Sequence, residues 1–167
     1  MKKHMIIQNS SLAEWHTLVN EAQQLDNSTL EEAVESYLVF LLMRFTQDPD
    51  LVTSILAIEF LEGVQMRQQQ PLRDVADRCL LLSGLFPEQA ARRLVSVDYF
   101  VGLGQRAYMQ LADLPDIIQL GPYEDLCQEF MTLTRILRRM REIHQEKLLA
   151  HLQGVRDQSA GFPPWLH

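Results

Sequence analysis

Apolar residues along this chain recur every three to four positions, and no segment alternates at every second residue in the manner of a strand. The clearest stripe is Leu126, Phe130, Leu133, Leu137 and Met140, with Arg135, Arg138 and Arg139 on the opposite side of the same helix. Pro122 stands at a helix-start position, and from there to about Gln158 no further proline interrupts the pattern, which predicts one long C-terminal helix. Beyond Met140 the stripe positions become His144 and His151, among Leu148, Leu149, Leu152 and Val155. Two accounts fit: the helix leaves its bundle there and packs on a second copy, or it breaks near Glu142 and a small helix over 142–158 docks back.

Upstream, Ser11 with Glu14 and Ser28 with Glu31 have the spacing of capping boxes, in which a hydroxyl and a carboxylate each satisfy an orphan N–H at a helix start. The first helix would bury Leu12, Trp15, Leu18, Val19 and Ala22. The second would bury Leu30, Val34, Tyr37, Leu38, Leu41 and Phe45, with Glu31, Glu32 and Glu35 outward. From Tyr37 to Met43 the second is apolar nearly all round, which predicts a central position. Asp48-Pro49 opens a third helix to about Met66, and Arg67 to Pro71 forms a polar hinge before a fourth, stopped at Gly84. Pro87 starts a short fifth, and Ser96 caps a sixth running to about Asp113. Gly102 and Gly104 inside the sixth each cost about 1 kcal/mol relative to alanine, so they predict close approach of another helix. The sum is an all-α fold: an irregular bundle of about seven helices, one helical domain over 1–160, and a non-helical tail, 161–167, containing Phe162-Pro-Pro-Trp165.

Composition narrows the function classes. A chain of 167 residues with 47% apolar content can bury one sizeable core. The net charge of −7 opposes wholesale attraction to nucleic acid or anionic lipid. That charge is uneven: Glu14 to Glu62 holds one base, Arg44, whereas arginines concentrate between Arg67 and Arg141. Cys79 and Cys127 sit in apolar helical patterns and read as free thiols in a reducing compartment. The apolar run after Lys3 is too short for a signal peptide, and the longest elsewhere, Tyr37 to Met43, is far below a membrane span, so the expected compartment is the cytoplasm.

Catalytic and cofactor signatures do not emerge from residue spacing. Glu-x-x-His pairs, H-E-x-x-H, CxxC and the P-loop pattern are absent, which leaves no metal or cofactor expected and no acid, base or nucleophile to name. His144 and His151 lie about 10 Å apart along a helix axis, too far to share one ion. The cluster Arg135, Arg138, Arg139 and Arg141 could grip phosphates, and Arg78 through Gly84 to Arg93 has a weak helix–turn–helix shape. Glu88 near the start of the would-be reading helix, and the acidic total, disfavour nucleic acid.

The sequence therefore predicts a helical interaction or assembly module, homodimeric or bound to another protein, using Arg135, Arg138, Arg139, His144, Leu148, His151, Leu152 and Trp165. The alternative is a small-ligand binder with a cleft formed by Tyr99, Gly102, Gly104 and Arg106. Truncation separates them. If the C-terminal stripe joins two copies, light scattering will show a dimer for the full chain and a folded monomer for a chain ending at Arg141; equal masses would contradict it.

Overall fold

The structure, a computed structural model, describes residues 2–47, 69–88, 96–115 and 121–143. Six helices account for nearly all of them: α1 Lys2–Asp26, α2 Glu32–Gln47, α3 Gln69–Gly84, α4 Val97–Ala112, α5 Tyr123–Gln128 and α6 Phe130–Ile143. No strand occurs among the described residues. The predicted third helix, the body of the fifth, and everything after Ile143 lie outside the described residues.

The chain divides into two compact units. One comprises residues 1–50 and 136–167, the other residues 51–135. In the first, α1 and α2 pack as an antiparallel helical hairpin joined by residues 27–31. Trp15, Leu18, Val19, Ala22, Val34, Leu38, Leu42 and Phe45 are buried, as the helical spacing predicts. In the second, α3 packs on α4 and α4 on α5, and Leu72, Val75, Cys79, Leu80, Leu103, Ala107 and Leu111 are buried.

Both predicted capping boxes are displaced. Nothing between Lys2 and Asp26 stops a helix, since that span has neither proline nor glycine, so α1 is already under way at Ser11. Ser11 therefore occupies an interior position whose backbone needs no cap. At the other end, Asn27 adopts the left-handed conformation (φ 51°), which asparagine tolerates better than most residues. Its N–H bonds Gln24 O, while the Ser28 N–H bonds Gln23 O at 3.1 Å, a Schellman-type closure. Linker 28–31 is thus tied to the end of α1, Ser28 Oγ makes no hydrogen bond, and α2 opens one turn later than predicted, with Glu35 N–H on Glu31 O.

The predicted long C-terminal helix is interrupted. Glu129 (φ −88°, ψ 4°) separates α5 from α6, although the Glu129 N–H bonds Asp125 O and the Leu133 N–H bonds Glu129 O. The stripe survives the irregularity: Leu126, Phe130, Leu133, Leu137 and Met140 are all fully buried, and Arg135, Arg138 and Arg139 are exposed. Ser96 caps α4 as its position predicts, its hydroxyl accepting from the Tyr99 N–H at 3.2 Å. α3 begins at Gln69, two residues ahead of the predicted Pro71, and ends at Gly84.

The two glycines of α4 have opposite environments, because residues two apart on a helix point about 200° apart. A Cβ on Gly104 would stand 2.6 Å from the Phe130 ring and 2.9 Å from Cys79 Cβ, so this glycine permits the close approach that the sequence implies. A Cβ on Gly102 would meet nothing within 4 Å. Gly104→Ala is accordingly expected to destabilise by about 1–3 kcal/mol through overpacking, whereas Gly102→Ala should stabilise by roughly 0.5–1 kcal/mol through helix propensity. Urea unfolding of the two variants checks the pair, and a neutral Gly104→Ala would contradict the close crossing.

Candidate interaction groove

The hairpin of α1 and α2 owes its register to one buried amide. Gln23 is 5% exposed and uses both ends of its side chain. Its Oε1 accepts the Leu30 N–H at 2.8 Å, and its Nε2 donates to Glu35 Oε2 at 2.9 Å. The other Glu35 oxygen, Oε1, lies 2.8 Å from His16 Nε2. A carboxylate only accepts, so Nε2 carries a proton and, in the neutral ring, Nδ1 accepts from Asn20 Nδ2 at 3.1 Å. The chain of contacts Asn20, His16, Glu35, Gln23 and Leu30 crosses from α1 to α2 and on to the linker. Glu35, predicted to face outward, is half-buried for this reason.

Alongside this joint runs an open apolar groove of about 590 Å³. Leu12, Ala13, His16 and Thr17 of α1 line one wall, and Ser36, Val39 and Phe40 of α2 the other. Val39 is buried at its base, whereas Phe40 is 59% exposed. Ala13, His16, Thr17 and Ser36 are exposed as well, so the groove is shallow and open. A drug-sized ligand usually buries most of its surface in its site, and this groove cannot enclose one to that degree.

The second unit holds a buried polar centre that the sequence pattern does not predict. Asp77 is fully buried and accepts from the Tyr108 hydroxyl at 2.7 Å. Tyr108 stacks on Tyr123 at 6.3 Å and 19°, and is tilted against Phe130 at 6.0 Å. The Tyr123 hydroxyl in turn accepts from Gln69 Nε2 at 3.2 Å. Asp77 and Tyr108 are both inaccessible, so this centre discriminates among packings of the helices around it. Cys79 lies in the same core, where burial pushes its thiol pKa far above the usual range; it and the half-buried Cys127 are free thiols. Among the described residues no group of three His, Cys, Asp or Glu could hold a metal ion, and no helix is long and apolar enough to cross a membrane.

The candidate residues named from the sequence are scattered. Arg135 Nη2 donates to Thr132 Oγ1 at 3.4 Å, and Arg139 lies 3.8 Å from Asp26 and 3.5 Å from Glu142. Arg138 is exposed on the same helix. His144, Leu148, His151, Leu152 and Trp165 lie outside the described residues. Tyr99, Gly102 and Arg106 share the outward face of α4, with Tyr99 edge-on to Phe100 at 5.5 Å. Gly104 belongs to the opposite, packed side, so the two glycines do not open one cleft together.

The all-round apolar run from Tyr37 to Met43 predicted a central position, whereas Phe40 within it is 59% exposed; for Asp77 a signal was present in an acid set among the apolar positions Val75, Ala76, Cys79 and Leu80. Gln23 carried no such signal. No protein-family model, curated protein or solved structure matches the chain. Removing the hydroxyl in Tyr108→Phe should cost about 1–3 kcal/mol, because buried Asp77 loses a donor that water cannot replace. Thermal and urea unfolding measure it; an unchanged midpoint would show that the bond contributes nothing.

Proposed function

We propose that this chain is a helical protein–protein interaction module without catalytic activity, and that the groove between α1 and α2 is its binding face. The observation that supports this most directly is Phe40, a large aromatic side chain 59% exposed beside a concave apolar surface. Single exposed apolar residues are ordinary. A phenylalanine on the rim of a groove floored by Val39 and Leu12 is a different case, since aromatic anchors near pockets dominate binding energy in protein interfaces. The joint built on Gln23 and Glu35 fixes the two walls before any partner arrives, so little ordering cost falls on this side of the complex. Association of two copies through the C-terminal pattern is a further part of the proposal, tested by the truncation above.

A peptide-display selection against the full chain tests the groove whatever the natural partner is. Selected peptides should lose about tenfold or more in affinity, ~1.4 kcal/mol, on Phe40→Asp, with the helical circular dichroism unchanged. Peptides that bind wild type and Phe40→Asp equally well would place the binding face elsewhere.

A further inference from the structure

The charge around the groove identifies the chemistry of what fills it. This step rests on the groove being a binding face, and goes on to name the partner. From Leu12 to the end of α2 at Gln47 there are six acids (Glu14, Glu21, Asp26, Glu31, Glu32 and Glu35), of which Asp26 lies against Arg139, and one arginine, Arg44, in the last turn of α2. Glu32 lies one turn before Ser36 on the stripe of α2 that faces the groove, and both Glu31 and Glu32 are exposed. The groove's one titratable base, His16, is already in contact with Glu35. The result is an apolar trough with an acidic border at the α2 N-terminal end.

Of the recurring modes of peptide capture, strand addition needs an exposed sheet edge, and the described residues contain no strand. Capture of acidic or phosphorylated segments needs an arginine cluster, which these walls lack, and the same border repels nucleic acid and anionic lipid. A trough between two helices, with anchors on successive turns, matches the remaining mode, in which an amphipathic helix lays its apolar face into a groove. We propose that the α1–α2 groove binds a basic amphipathic helix of a partner protein. Its apolar face sits on Leu12, Val39 and Phe40, and its lysines or arginines meet Glu31 and Glu32.

The test uses the full chain and two fluorescent designed peptides of about 18 residues. Both carry Leu and Phe at i, i+4, i+7 and i+11; one has lysine flanks, and its twin has glutamate in their place. By anisotropy the basic peptide should bind about tenfold or more tighter than its twin, and added salt should shrink the gap. The double variant Glu31→Gln, Glu32→Gln should weaken the basic peptide severalfold and leave the twin unchanged or improved. Phe40→Ala should weaken both peptides. Equal affinities that both fall with Phe40→Ala would overturn the basic partner while leaving the groove as a binding face. Binding indifferent to Phe40→Ala, or no binding of either peptide, would overturn the groove itself.

Discussion

The hairpin of α1 and α2 depends on Gln23, a neutral side chain buried where two helices and their linker meet. A glutamine has one acceptor and one amide donor group, and here each end satisfies a different element: a linker N–H on one side and the Glu35 carboxylate on the other. Leaving either partner unsatisfied in a buried site would cost about 1–3 kcal/mol, so the arrangement selects one register of α1 against α2. That register places Leu12 and His16 opposite Ser36, Val39 and Phe40, and hence sets the groove. Bonds across the joint and the Schellman closure at Asn27 act together: one orients the helices, the other fixes where the chain turns.

The second unit applies the same logic with different chemistry. Its core is mainly aliphatic and aromatic, yet it contains an aspartate held by a tyrosine hydroxyl from a neighbouring helix. Such a bond adds little net stability beyond apolar packing, but its loss is costly, so it discriminates among possible packings of similar apolar surfaces. Gly104 contributes through what it lacks, since any side chain there would collide with Phe130. Packing of this kind leaves Tyr99, Gly102 and Arg106 on the outward face of α4.

Periodicity carried the reading of helices and of their buried faces because a 3.6-residue repeat is written directly in the positions of Leu, Val and Phe. The stripe from Leu126 to Met140 was legible for that reason, including which side its arginines occupy. Caps were less legible. Ser28 and Glu31 have the spacing of a capping box, but the deciding contact came from Gln23 on the preceding helix, and sequence spacing says nothing about contacts across a turn. The break at Glu129 likewise leaves no mark in composition, since no proline or glycine stands there. The groove was half-legible: the apolar surround of Tyr37 to Met43 was visible, but an exposed Phe40 and a buried one look alike in sequence.

The central claim is one of location: binding occurs where α1 and α2 present Phe40. Amide hydrogen exchange read by mass spectrometry, on the full chain with and without the lysine-flanked peptide, tests it most directly. Slower exchange confined to peptides covering residues 12–20 and 36–43 is the predicted result. Slower exchange on α4 around Tyr99 and Arg106, with the α1–α2 hairpin unchanged, would contradict it.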